Sequence, residues 1–367
     1  MTLKYEPQII YVENHSDDNE YAKEILNRLK NIPVVYIDEF DEKKIKEFYS
    51  IEDNITIGKR ILLLRKFKGS FLKKCPGTKH FLCCNYYVIN AQTNCPFDCT
   101  YCSLQNYLNT QAMVIFTNIE DILFELNTVL NDNPNRFFRI GTGELADSLA
   151  LDHITHLSKI LVEFFADKQN AVLELKTKSD NIDNLLTLNH KGNTVISFSL
   201  NPQIVINSDE KDTASLIERL TAAKKTQEAG YKSAFHFDPL VLIDNYKIHY
   251  AELIKELFEY IKPENIKWIS MGGFRYPKEI YTAIKERFPY TKMILQEFLQ
   301  CDDNKWRYLK HKRVELYLFI KSEMEKYHKK APLYMCMESK DIWDEVFHYR
   351  PHVNENTKQL FDFKFNE

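Results

Sequence analysis

Glycine is scarce in this chain, 9 residues in 367, while aromatic residues make up 13% of it. No low-complexity tract, internal repeat or flexible linker interrupts it, and together these features exclude a disordered or fibrous protein. An excess of charge of one sign is also missing. The formal net charge is −3, so the chain cannot bind nucleic acid through a uniformly basic surface, and any such contact must come from a local patch. No apolar run approaches the roughly 20 residues that cross a bilayer. The start, Met1-Thr2-Leu3-Lys4-Tyr5-Glu6-Pro7, lacks the basic-then-apolar layout of a secretory signal. The expected location is therefore cytoplasmic, without a membrane. In that reducing compartment the 8 cysteines are not a disulfide framework; metal ligands, reactive thiols and core residues remain. The hydrophobic share of 44% is that of a soluble globular protein, and the length suits one full-sized core with small additions.

Short β-branched and aromatic runs alternate with longer amphipathic stretches. Strands are expected at Tyr86–Asn90, Arg136–Ile140, Val172–Lys176, Val195–Ser199, Ala234–Phe237 and Trp268–Met271. Helical spacing of apolar residues marks Ile119–Leu130, Ile154–Phe165, Ile182–Leu188, Ala214–Ala229 and Tyr250–Ile261. Strands alternating with helices predict right-handed βα units, an α/β fold with a partial (βα)6 TIM-type barrel. The barrel is assigned to residues 71–290. Residues 1–70 read as a small α/β addition, with a helix near Asn19–Lys30 and a strand near Val34–Ile37, and 291–367 as a C-terminal α/β extension. Sites in such folds lie at the carboxyl ends of the strands.

Just after the first expected strand comes Thr93-Asn94-Cys95-Pro96-Phe97-Asp98-Cys99-Thr100-Tyr101-Cys102-Ser103-Leu104. Thiolates suit iron–sulfur clusters or zinc. Three on one short loop can hold three irons of a [4Fe-4S] cluster and leave the fourth open. Structural zinc wants a fourth Cys or His, and the loop has none. The C-x3-C-x2-C spacing, with an aromatic before the last cysteine, resembles that of radical S-adenosylmethionine enzymes. That resemblance implies Cys95, Cys99 and Cys102 as cluster ligands, S-adenosylmethionine on the open iron, and a 5′-deoxyadenosyl radical from its reductive cleavage.

Beyond this loop the sequence resembles the spore photoproduct lyase family over nearly its whole length. The resemblance rests on Tyr101-Cys102-Ser103-Leu104-Gln105, Phe138-Arg139, Asp147, Asp152-His153-Ile154-Thr155, Thr177-Lys178, Phe198-Ser199-Leu200-Asn201, Arg275 and Phe288-Pro289-Tyr290-Thr291-Lys292, in order. It implies that Lys178 and Ser199 hold the methionyl end of S-adenosylmethionine and that Tyr101 lies near its adenosine. A carboxylate ligand does need a cation or hydroxyl donor, and both residues end predicted strands; a solvated lysine and a core hydroxyl are the plainer alternatives. Gly141-Thr142-Gly143-Glu144 is similar to the Gly-Gly-Glu segment that contacts the cofactor's amino group. Glycine lets backbone approach a ligand and a carboxylate suits an ammonium, although an ordinary strand-to-helix turn has the same composition.

The chain departs from the family at two points. Glu144 stands in the register of the cysteine that returns hydrogen to the substrate radical, and Ser103 replaces a second tyrosine of the radical relay. A carboxylate cannot donate a hydrogen atom. Cys84 and Cys336 are the candidate replacements, with Cys75 and Cys83 nearby; a second metal site or buried structural thiols are the other readings. Cys301 has no evident partner. His236 and Asp238 end the fifth strand and suit either substrate or ribose contacts or strand capping. The basic run Lys305–Arg313, with Trp306 and Tyr308, suits either a phosphate-contacting edge with stacking aromatics or a solvated helix start.

The leading expectation is radical hydrogen abstraction from a substrate, with a damaged pyrimidine in DNA as the first candidate and an electron donor such as flavodoxin or ferredoxin. Radical modification of RNA, a peptide or a metabolite is the second, and a non-catalytic, metal-containing nucleic-acid-binding protein the third.

Overall fold

Each of the six β-branched runs forms a strand: β1 (Tyr87–Ile89), β2 (Phe138–Gly141), β3 (Ala171–Thr177), β4 (Thr194–Ser199), β5 (Lys232–Leu240) and β6 (Ile266–Gly273). The computed structural model describes residues 4–41, 54–77 and 81–348, and the backbone of 364–365. The six strands pair in parallel in chain order, and β7 (Leu333–Met335) continues the sheet beside β6. Leu72–Lys74 runs antiparallel along the free edge of β1. The sheet curls strongly. Arg139 on β2 donates to the Tyr334 hydroxyl on β7 at 3.0 Å, whereas five strand spacings in a flat sheet would separate those strands by about 24 Å. Closure to a partial barrel is thus written in one side-chain contact.

Buried helices cover the outer face. Ile119–Asp132, Leu157–Phe165, Leu216–Glu228 and Tyr246–Tyr260 turn their apolar residues inward. Leu216–Glu228 begins in a capping box, Ser215 and Glu218 each bonding the other's backbone N–H. Residues 182–188, expected as a helix, form only successive turns. Leu185 N–H bonds Ile182 O and Leu188 N–H bonds Leu185 O, while the Asn184 amide donates to the carboxylate and backbone oxygen of Asp152. A short polar side chain with a better partner outside the segment draws the backbone out of a helix.

The N-terminal residues build a second sheet, in the order Val34–Ile37, Ile9–Glu13, Ile61–Arg65, Met113–Phe116, Gln92–Thr93. The expected helix runs Glu20–Arg28 with Asn19 as its N-cap, accepting from Ala22 N–H at 2.9 Å. Met113–Phe116 and Gln92–Thr93 flank the cysteine loop in sequence, so this sheet carries the stem of that loop. After β6 comes a three-stranded antiparallel sheet, Arg275–Pro277, Phe298–Gln300 and Lys305–Tyr308, packed through Phe274, Tyr276, Phe298 and Tyr308. Among the described residues no helix is long and apolar enough to cross a membrane.

Candidate active site

Side chains pointing into the barrel form layers. In the lowest, Glu174 on β3 is the hub. Its carboxylate accepts from Arg139 Nε at 2.8 Å, Ser197 Oγ at 2.6 Å, Trp268 Nε1 at 2.9 Å and His236 Nε2 at 2.8 Å. His236 Nδ1 lies 2.6 Å from Ser270 Oγ. Burial works against the charge on Glu174, but Arg139 and His236 outweigh it and hold its pKa far below the ordinary carboxylate range. Burial pushes the His236 pKa down, leaving a neutral imidazole that donates from Nε2 and accepts at Nδ1. His236 therefore serves the barrel floor, and its expected substrate or ribose contact is corrected: both ring nitrogens are engaged in this network.

Above the floor the strands present Gly141, Lys176, Asp238, Gly272 and Cys336. Asp238 receives the Arg275 guanidinium in a fork at 3.0 and 3.2 Å. Gly272 is required there, since a Cβ would fall 2.7 Å from the Asp238 carboxyl carbon. Gly141 has a similar reason: a Cβ would stand 1.9 Å from the Tyr86 hydroxyl. Glu144 and Lys176 sense each other's charge across this space.

The cysteine loop closes one side of the mouth. Asn94, at φ 74°, accepts from Cys95 N–H at 2.8 Å and donates to Gln111 O at 2.6 Å. Asp98 is held by two cations, Lys59 Nζ at 2.8 Å and Arg287 Nη2 at 2.9 Å. Asp98–Cys99 pairs antiparallel with Glu210–Lys211, and the Gln105 amide donates to Thr100 O at 2.9 Å. Cys95, Cys99 and Cys102 gather around Phe97 and Ala150. Burial pushes the Cys99 thiol up to about 12 and the Cys95 thiol well above its ordinary value; binding iron would replace those protons.

The donor set fits a cluster better than one ion. A single zinc at about 2.3 Å from each sulfur would bring the sulfurs within about 3.8 Å of one another. Among the described residues, the only three candidate ligands that lie within 4.8 Å of one another are His15, Asp17 and Asp18, on the exposed N-terminal side. The three loop sulfurs do not all lie within that distance of one another, which disfavours a single shared ion.

Lys178 follows the carboxyl end of β3, and Ser199 ends its parallel neighbour β4. The Lys178 Nζ stands 5.6 Å from the centre of the Tyr101 ring and shares the electrostatic neighbourhood of Cys99 and Glu210. Its backbone N–H donates to Asp147 at 2.7 Å, and Asp147 also accepts from Thr177 Oγ1 at 2.6 Å. Tyr101 does not hang free, because its hydroxyl donates to Glu210. Glu210 pairs with the fully buried Arg219 at 2.7 Å. Burial raises its pKa, but Arg219 and Lys178 overcome that and bring it to about 2. Arg219 in turn donates to Ser199 O at 2.9 Å. Gly143 packs against Lys176, where a Cβ would come within 2.8 Å of the lysine Cβ. The two glycines of the Gly141–Glu144 segment thus make room for neighbouring side chains, and the partly buried Glu144 lies near Lys176 and Tyr86.

Four further thiols converge on the opposite wall. Cys83 is within hydrogen-bonding reach of Cys75 and Cys84, and Cys336 senses Cys83, Cys84 and Asp238. The bridge Leu82–Glu338 brings their segments together. Cys301 stays apart, 3.8 Å from Leu299 O. The basic run is largely consumed within the protein: Arg307 pairs with Asp303, Arg313 with Glu338, Lys310 with Asp341 and Glu345, and Lys312 with Glu297. Tyr308 is buried and Trp306 partly so. The expected phosphate-contacting edge is corrected accordingly.

Glu210, Arg219, Lys59 and Arg287 escaped sequence reasoning. A lone arginine on the apolar face of Leu216–Glu228 was the available signal for Arg219; the other three carry none.

The family model described as spore photoproduct lyase matches residues 5–337. A spore photoproduct lyase of Geobacillus sp. (strain Y412MC61) is 31% identical over 214 residues, which are 58% of this chain and 63% of that protein. That of Bacillus subtilis (strain 168) is 25% identical over 321 residues, 84% of this chain and 88% of that protein. A solved spore photoproduct lyase complexed with dinucleoside spore photoproduct superposes with a TM-score of 0.80 at 23% identity, covering 90% of this chain and 99% of that one. A double mutant of such a lyase with bound AdoMet and dinucleoside spore photoproduct gives 0.78 over the same shares. These superpositions establish the shared fold.

Proposed function

Because this chain belongs to the spore photoproduct lyase family of radical S-adenosylmethionine enzymes, we propose that it acts on a damaged pyrimidine in DNA through a [4Fe-4S] cluster on Cys95, Cys99 and Cys102. When bound there, the cluster and S-adenosylmethionine would supply radical chemistry able to abstract hydrogen from the substrate. Lys178 and Ser199 bind the methionyl carboxylate, and the Gly141-Thr142-Gly143-Glu144 segment presents its carboxylate to the amino group. Tyr101, fixed on Glu210, forms the wall beside the adenosine. An electron carrier of the flavodoxin or ferredoxin kind reduces the cluster, in the cytoplasm.

What supports this reading is the three-cysteine loop beside Lys178, whose charge acts on Cys99, with Ser199 ending the neighbouring parallel strand. Glu144 cannot return a hydrogen atom to the product radical, so a thiol on the opposite wall does so: the S–H bond of Cys84 or Cys336 breaks and a C–H bond forms, leaving a thiyl radical. The test is anaerobic reconstitution followed by reduction with S-adenosylmethionine and dinucleoside spore photoproduct. About four irons per chain, 5′-deoxyadenosine formation and release of repaired dinucleotide are expected. Stoichiometric zinc without a reducible chromophore would overturn the proposal; cofactor cleavage with an untouched lesion would overturn the substrate alone.

A further inference from the structure

Two residues above the bonded floor stands a cation unpaired among the described residues. Residues 174, 176 and 178 share the inward face of β3 by strand alternation, which puts Lys176 between the fully bonded Glu174 and the cofactor-facing Lys178. Its ε-ammonium senses Glu144, Glu174, Asp238 and Cys336, yet among the described residues it makes no hydrogen bond or ion pair. Asp238 is already occupied by the Arg275 fork. Burial works against the ammonium, but the surrounding carboxylates outweigh it and keep Lys176 charged. A second polar group in the same layer also lacks a partner. The Tyr86 hydroxyl is buried without a hydrogen bond, stands over Gly141 and senses Glu174 and Glu144. A buried hydroxyl left unmet is costly, and with a partly buried, unpaired ammonium in the same layer beneath a reaction mouth it points to a ligand that meets both.

Its chemistry follows from the charges. An anion would be repelled by Glu144, Glu174 and Asp238, and a cation by Lys176 and Arg275. A neutral acceptor suits both donors, and a carbonyl oxygen is the strongest of these. We propose that Lys176 is a substrate-binding residue that donates to a carbonyl oxygen of the damaged pyrimidine, with the Tyr86 hydroxyl as a second donor beside it. This rests on the reading of the substrate given above and adds the group by which the base is gripped. Cys336 lies in the same layer, so the grip also sets the base beside a thiol.

The experiment measures equilibrium binding of dinucleoside spore photoproduct and, separately, of S-adenosylmethionine to reconstituted wild type, Lys176→Met, Lys176→Arg and Tyr86→Phe. Loss of a hydrogen bond from a charged donor should weaken lesion binding roughly ten- to a hundredfold in Lys176→Met. Lys176→Arg should recover part of it and Tyr86→Phe should lose a few-fold, with cofactor affinity unchanged throughout. A Lys176→Met protein that loses cofactor rather than lesion would place Lys176 in the cofactor site and overturn the inference. So would equal lesion binding by wild type and Lys176→Met. If Lys176→Met does not fold, Lys176→Gln is measured in its place, and lesion affinity equal to wild type with cofactor binding intact overturns the inference; wild-type affinity for lesion in Tyr86→Phe refutes the second donor. Wild type that binds cofactor but no lesion would remove the substrate reading, and this inference with it.

Discussion

The floor and the chamber of this barrel are built from the same kinds of residue and treat them oppositely. On the floor a carboxylate, a guanidinium, an imidazole, an indole and two hydroxyls bond one another, all under cover. One layer up, a lysine, a glutamate and a tyrosine hydroxyl share a similar space without direct bonds. Burial alone therefore does not mark function: the carboxylate of Glu174, met by four donors, is architecture.

The sharpest way to break this division is at the cluster. Cys99→Ala should abolish the reducible chromophore and all cofactor cleavage, read by iron analysis and 5′-deoxyadenosine formation. Next in size is the floor. Glu174→Ala should destabilise the fold by roughly 3–5 kcal/mol, since it strands a buried guanidinium; denaturant unfolding measures this, and a loss under 1 kcal/mol would contradict the architectural role. Removing either proposed cofactor contact, Lys178→Ala or Ser199→Ala, should weaken S-adenosylmethionine binding about ten- to a hundredfold with unchanged thermal stability.

Acid titration separates the two layers more gently. His236 has a lowered pKa in the fold, so the unfolded chain binds the extra proton, and stability should decline as pH falls below about 6.5. Glu210, at about 2 in the fold against 4.5 unfolded, contributes stability that is complete above 4.5 and lost as pH falls towards 2. Melting temperatures should thus be flat around neutrality and drop in two stages, and a rise on acidification would contradict both assignments. Smallest is the thiol wall. Cys336→Ala or Cys84→Ala should leave cofactor cleavage intact and lower the yield of repaired dinucleotide, whereas Cys301→Ala should change neither.

The barrel was legible because parallel strands buried on both faces must be apolar runs, and the six such runs became strands within a few residues of their expected ends. The segment 182–188 misled because its apolar spacing is helical over only two turns, while Asn184 finds a better partner in Asp152. The cysteine loop stood out by its spacing, whereas Lys178 and Ser199 came only with the resemblance to the family, each lying at a strand end. Glu210 and Lys59 could not be read, since neither a charged residue in a short bridge nor one near a turn differs locally from a solvated neighbour. The basic run 305–313 misled in the opposite direction: positive charge in sequence does not disclose that Asp303, Glu338, Asp341 and Glu297 lie ready to neutralise it.

The antiparallel pairing of Gln92–Thr93 with Val114–Ile115 bears on how the protein matures. It makes the cysteine loop the tip of a hairpin whose stem is bolted to the N-terminal sheet through Ile61–Arg65. The entropy of closing that twenty-residue excursion is met by backbone pairing and by the Lys59 and Arg287 contacts to Asp98. None of these contacts uses a cysteine sulfur, so the scaffold of the loop is independent of whatever its three sulfurs hold, as a socket is independent of its bulb.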